Sequence, residues 1–135
     1  VGAELMKRGY HNFDGVDLST EMLRRAKSRG YVNLFQGSLN DPLPIPDDTY
    51  DASISAGLFT HGHVKTHAIG ELVRLTKSGG YFCFTINEGV YHTQGFEQEI
   101  QRIAHDKLWD ILTLNREPYM IKEQVHAYYC LAKVR

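Results

Sequence analysis

The run Phe13-Asp14-Gly15-Val16-Asp17-Leu18-Ser19 constrains the fold more than any other stretch of the chain. It reads as a short buried strand that ends on an acid and passes directly into a helix. Ser19 is a good N-cap for that helix, and Glu21 falls in its first turn, where the helix dipole favours negative charge. In an open α/β sheet, ligands gather outside the carboxyl ends of the strands, and an acid placed there can accept hydrogen bonds from ribose hydroxyls. Asp17 is therefore a candidate nucleotide contact. It is equally well placed to help cap the helix, and these seven residues leave both readings open.

The rest of the chain alternates in the same manner. Val1 and Leu5 share a helical face near Ala3 and Met6, and Gly9 can end that helix in a left-handed conformation. A helix is expected over residues 20–29, with Met22, Leu23 and Ala26 on its apolar side, followed by a strand over residues 32–36. Pro42, Pro44 and Pro46 forbid regular structure in the segment from Ser38 to Thr49, whose Asp41, Asp47 and Asp48 should face water. A strand from Tyr50 to Ala56, a helix from about Val64 to Thr76 and a turn at Lys77-Ser78-Gly79-Gly80 come next. Tyr81 to Ile86 is almost continuously apolar, as expected of a strand covered on both faces. An amphipathic helix from Gln94 to His105 carries Phe96, Ile100, Ile103 and Ala104 on one side. Leu108–Leu114 and Val125–Val134 read as two strands separated by Asn115-Arg116-Glu117-Pro118. Alternating helix and strand followed by two strands predicts an α/β fold with a largely parallel sheet ending in an antiparallel pair.

A length of 135 residues suits a single domain. The formal net charge of −1 gives no electrostatic case for nucleic acid or membrane surfaces. No apolar run approaches the roughly 20 residues needed to cross a bilayer. Cys83 and Cys130 each lie in an apolar, strand-like run and read as lone buried thiols, which suits a reducing, intracellular setting in cytoplasm or nucleus. A ribose-binding acid usually follows its glycine-rich loop by about 20 residues. Counting back that far from Asp17 lands before Val1, so the chain is expected to be part of a longer protein.

Four motifs then fall in one order: Gly15-Val16-Asp17-Leu18-Ser19 with Glu21-Met22-Leu23; Gln36-Gly37-Ser38-Leu39; the proline-broken loop ending Asp47-Asp48-Thr49-Tyr50-Asp51; and Glu71-Leu72-Val73-Arg74-Leu75-Thr76-Lys77-Ser78-Gly79-Gly80. In that order they resemble the class I S-adenosylmethionine (SAM) dependent methyltransferases. The resemblance implies a Rossmann-like three-layer sandwich whose last strand inserts antiparallel beside its neighbour. It also implies a first strand and glycine-rich loop, absent from these residues, with that strand central between those ending at Asp17 and Ala56. SAM is the implied cofactor. Asp17 matches the ribose-binding acid and Leu18 the residue packing on one adenine face. Leu39 would cover the other face. Ser38 stands where many relatives place Asp or Asn toward the adenine amino group. Ala56 matches a position whose backbone touches the methionine end of the cofactor. Ser78 replaces the usual proline of its turn.

Methyl transfer from a sulfonium asks mainly for alignment and exclusion of water, and a base only where the acceptor must lose a proton early. His61 and His63 are the candidate bases, although a histidine near a helix start is ordinarily soluble surface. Taken with His67 they could be read as a metal site, but such spacing generally lacks the convergence a tetrahedral ion requires, and no metal is expected. Tyr91 and His92, expected in a loop, could contact an acceptor or simply pack there. Trp109, Tyr128 and Tyr129 are expected in the core. Two alternatives stand beside catalysis: a non-catalytic binding or scaffold protein on the same fold, and an NAD-dependent oxidoreductase. The antiparallel C-terminal pair and Gly37-Ser38-Leu39 argue against the latter. Acceptor selection in the family rests on N-terminal additions and loop insertions, so the motifs leave the methyl acceptor and the oligomeric state unspecified.

Overall fold

The computed structural model describes residues 1–62 and 64–135. The chain forms two compact units, Val1–Leu43 and Pro44–Arg135.

In the first unit, helix α1 (Gly2–Lys7) precedes strand β1 (Gly15–Asp17), helix α2 (Thr20–Ala26) and strand β2 (Leu34–Gln36). β1 and β2 are parallel and in register from Gly15↔Leu34 to Asp17↔Gln36, so they end level with each other. α2 starts where expected, because Ser19 has extended backbone and its Oγ accepts the Met22 N–H at 3.3 Å. Gly9 and Gly30 both adopt positive φ after their helices. The helix and strands are shorter than the sequence pattern suggests, since Lys27–Gly30 tightens into turns. Ser19→Ala removes one satisfied helix donor and should lower stability by about 1 kcal/mol, measured as a shift in the urea midpoint.

The second unit holds a four-stranded sheet in the order β3 (Tyr50–Phe59), β4 (Thr76–Asn87), β6 (Val125–Val134), β5 (Trp109–Met120). β3 and β4 are parallel, while β6 runs antiparallel to both β4 and β5, as the sequence pattern predicts for the C-terminal pair. Among the described residues β1 pairs only with β2, and β3 only with β4. The helices of this unit are α3 (Ala68–Leu75), α4 (Glu88–Tyr91) and α5 (Phe96–His105). Phe82, Phe84 and Ile86 alternate onto one face of β4 and are fully buried with Phe59, Phe96 and Trp109. Phe82 and Phe84 stack at 4.4 Å, and Phe84 stacks on Trp109 at 5.8 Å. The Trp109 indole N–H reaches the Ile100 carbonyl at 3.3 Å, which satisfies its one buried polar atom.

α3 is anchored to the proline segment by Arg74, which donates to the Ile45 carbonyl at 2.9 Å and pairs with Glu71 and Asp47. Those two carboxylates hold the Arg74 guanidinium above its ordinary pKa, Glu71 contributing most. The expected Lys77–Gly80 turn is present as a bulge at the start of β4, between the pairs Tyr50↔Thr76 and Ala52↔Tyr81, with Gly79 at φ +81°.

Five expectations need correction. β1 is not a buried strand, since none of its residues is buried and Val16 is 37% exposed. β4 is not covered on both faces along its length: Tyr81 and Cys83 point to an open side shared with Ile54, while Phe82, Phe84 and Ile86 are buried. Cys83 is accordingly an exposed thiol and not a buried one, whereas Cys130 is buried. Asn115–Pro118 does not separate two strands but belongs to β5, and the turn falls at residues 121–124. Pro118 is tolerated because β5 is an edge strand, where a missing N–H need not serve a second neighbour. Finally, Glu88–Tyr91 is helical and not a loop, with the Asn87 Oδ1 accepting the Gly89 N–H at 2.8 Å.

Both thiols are free. Burial pushes the Cys130 thiol up to about 12 and raises Cys83 to a lesser degree. Iodoacetamide at neutral pH should therefore alkylate Cys83 alone in the native chain and both cysteines after denaturation, as read by intact mass. The sign of the linkage follows from the raised value. The unfolded Cys130 thiol ionises near 9.0 while the folded one stays protonated. Its contribution to stability is thus complete below pH 9 and is lost as pH rises from there toward about 12.

Candidate functional site

The first part of the site is built at the level ends of β1 and β2. The Asp17 carbonyl accepts the Gly37 N–H at 3.2 Å, and the Gln36 side-chain amide reaches the Leu18 carbonyl at 3.4 Å. These bonds bring Asp17-Leu18 and Ser38-Leu39, which are 21 positions apart in the chain, to the same strand edge. One Asp17 carboxylate oxygen, Oδ1, accepts the Ser19 N–H at 2.8 Å, and the other has no partner among the described residues. The capping role and the ligand role are therefore not exclusive: one oxygen shapes the turn into α2 and the other remains available to a hydroxyl. Leu18 is 67% exposed, which leaves its side chain open to an apolar ring laid against it. Ser38 is half-buried, with its Oγ accepting the Asn40 N–H at 3.1 Å. Leu39 is 8% exposed and belongs to the packed interior of this unit.

Ala56 lies in the second unit. Regular pairing of β3 with β4 runs to Ser55↔Phe84 and resumes at Phe59↔Ile86, so Ala56, Gly57 and Leu58 bulge from the ladder. Gly57 has φ +77°, and its N–H is satisfied by the Thr85 hydroxyl at 3.1 Å. Ala56 is exposed at this bulge. A bulge at the carboxyl end of a strand re-aims backbone groups outward, as contact with a ligand requires.

The histidines separate. His61 is exposed and has no hydrogen-bond partner among the described residues, and its ring sits over Gly89, where an added Cβ would come within 2.8 Å of Nε2. His63 lies outside the described residues. His67 is exposed at the N-cap position of α3. Tyr91, expected in a loop, is instead buried on α4 and stacks on Tyr128 at 3.7 Å. Burial first, then the charge of Glu97, pushes its phenol up to about 12. His92 is held between two partners, with Nδ1 2.7 Å from Glu97 and Nε2 3.3 Å from the Tyr128 hydroxyl. Trp109 is core as expected, whereas Tyr128 and Tyr129 are half-buried.

Glu88 escaped the sequence reading. Its carboxylate takes the Arg116 guanidinium at 2.6 Å and the His126 backbone N–H at 3.1 Å, pinning α4 to the β5–β6 hairpin. Arg116 draws its pKa below the ordinary glutamate value. The available signal was Asn87-Glu88, a capping residue followed by an acid.

A parallel strand pair delivering an acid to its carboxyl edge, together with a sheet closed by an antiparallel last strand, defines the class I SAM-dependent methyltransferases, and the chain belongs to that family. The family profile described as "Methyltransferase domain" matches residues 2–84. Among individual relatives, human Methyltransferase-like protein 27 is 34% identical over 115 residues, which cover 82% of this chain and 46% of that protein. The chain spans under half the length of the curated relatives it matches. A SAM-dependent methyltransferase from Methanosarcina mazei superposes with a TM-score of 0.74 at 14% identity, covering 99% of this chain and 86% of the other. Geranyl diphosphate methyltransferase, solved in complex with SAM, gives 0.67 at 16% identity, covering 98% and 73%. These likenesses establish the Rossmann-like fold.

Proposed function

We propose that this chain supplies the adenosine-binding half of a SAM site and that the protein to which it belongs transfers the methyl group of SAM to an acceptor. The observation that carries the reading is Asp17 at the end of β1, with one carboxylate oxygen unpartnered and the exposed Leu18 beside it. In this reading Asp17 takes the ribose hydroxyls and Leu18 packs on adenine, while Leu39, 8% exposed, backs the same edge from the interior. Ser38 offers a hydroxyl where a carboxylate or amide would bind the adenine amino group more strongly, and the backbone at Ala56 meets the methionine end. The β1–β2 edge fits the adenosine part of such a group, since a free acceptor and an exposed apolar side chain match a diol and a ring. Held by these residues, SAM would supply a sulfonium-activated methyl group for transfer to an acceptor lone pair. Both units are read as one methyltransferase domain, which is supported by a family match that runs across Leu43.

Calorimetric titration with SAM, and separately with NAD, tests this reading. It is applied to this chain and to the chain with any upstream residues its gene encodes. The extended protein should bind SAM and not NAD, and the 135-residue chain should bind SAM weakly or not at all, because the glycine-rich loop of the family holds the methionine part. Binding of NAD without SAM would remove the methyltransferase reading.

A further inference from the structure

The second unit contains a partly open recess of about 120 Å³ at the carboxyl ends of β3 and β4, flanked by Tyr119 and Met120 from the end of β5. Its walls are Phe59, Met120 and Ala127, and its floor begins at Gly57, the residue after Ala56. We propose that this recess holds the reacting end of an uncharged methyl acceptor. The inference rests on the methyltransferase reading above, in which Ala56 marks the methionine end of the cofactor and therefore the side on which the methyl group is presented.

The polar groups around the recess decide the chemistry. Thr85 Oγ1 accepts the Gly57 N–H and keeps its own O–H as a donor, and Asn87 Oδ1 accepts the Gly89 N–H. The Asn87 amide N–H groups, the Thr60 hydroxyl and the Tyr119 hydroxyl have no partner among the described residues, and all three side chains line the cavity. They offer neutral donors to a hydrogen-bond acceptor on the ligand. Among the described residues no charged side chain lines it. A carboxylate, phosphate or ammonium entering here would be desolvated without a counter-charge, which is far more costly than burying a neutral amide or hydroxyl that is hydrogen-bonded. Size narrows the class further. The recess is well below the roughly 300–1,000 Å³ of a drug-sized site, enough for one functional group on a small apolar body. Gly57 sets the depth: a Cβ there would lie 2.9 Å from the Tyr119 hydroxyl, and φ +77° disfavours any side chain. Tyr119 thus reaches across the recess only because position 57 has no side chain, and it is the specificity-determining residue.

Benzamide, benzoate and benzylamine have nearly the same shape and differ in charge. Titrated into the ¹⁵N-labelled chain, benzamide should shift the amide resonances of Gly57, Thr60 and Asn87 and bind at least about tenfold more tightly than either charged analogue. Tyr119→Phe, which keeps the ring and removes the donor, should weaken benzamide about fivefold, the effect of one hydrogen bond. Benzoate or benzylamine binding as tightly as benzamide, or benzamide shifting residues elsewhere, would overturn the proposal. The SAM titration separates the two levels. Failure of the extended protein to bind SAM removes the acceptor role whatever the probes do, while SAM binding beside an unselective recess removes the acceptor class alone.

Discussion

Phe84→Ala is expected to cost about 3–5 kcal/mol, the usual range for emptying a fully buried aromatic site. Phe84 has no exposed surface and stands at the centre of one aromatic cluster: Phe82 on one side at 4.4 Å, Trp109 at 5.8 Å, and Phe59 edge-on at 5.6 Å. These neighbours come from β3, β4 and β5, so no single element can move in to fill the space without disturbing a strand pairing. The loss has two parts, the transfer of an aromatic ring out of water and the cavity left behind, and rigid neighbours enlarge the second. Tyr81→Ala on the same strand is the control. Tyr81 is 47% exposed on the opposite face, with Lys133 6.0 Å from its ring centre, so its truncation should cost less than about 1 kcal/mol. Urea unfolding of the two variants measures both. Equal losses would show that the open and buried faces of β4 are wrongly distinguished.

That contrast also shows where sequence reading stops. Phe82, Phe84 and Ile86 of β4 are large and apolar and identify a strand with a buried face without ambiguity. The odd-numbered Tyr81 and Cys83 are compatible with burial too, and hydrophobicity alone could not show that nothing among the described residues of this unit covers them. The C-terminal strand pair was legible from Val125–Val134, whose limits match the sequence pattern. Its partner was cut short because Pro118 reads as a strand breaker unless its edge position is known, and edge position is a property of the sheet order. The Ser19 cap was legible because it is local. The Glu88–Arg116 pair was not, since its residues lie 28 positions apart and meet only after β5 and β6 fold back over α4. Similarly, the candidate ligands Asp17, Leu18, Ser38 and Leu39 could be named from motifs. Their placement at one strand edge depends on the parallel register of two three-residue strands, which no local pattern encodes.

In the extended protein, Asp17→Asn should weaken SAM binding by about 1.5–3 kcal/mol, the range for hydrogen bonds to a charged group, while leaving stability almost unchanged. The reasoning follows from the division of labour within one carboxylate. Oδ1 accepts the Ser19 N–H at 2.8 Å, and an asparagine oxygen can do the same with nearly the same geometry. The second oxygen, unpartnered among the described residues, becomes an NH₂ group in the variant. A ribose hydroxyl that donated to the oxygen would then face a donor, and the negative charge that strengthens both hydroxyl contacts would be gone. Asp17→Ala removes both functions, so it should lose the same affinity and in addition destabilise the turn into α2 by about 1 kcal/mol. The pair of variants, measured by SAM titration and by urea unfolding on the same protein preparations, separates the two roles of the residue. An Asn variant that binds SAM like the parent, with an Ala variant impaired only in stability, would reduce Asp17 to a helix-capping residue. The ribose contact would then have to be sought elsewhere on the β1–β2 edge.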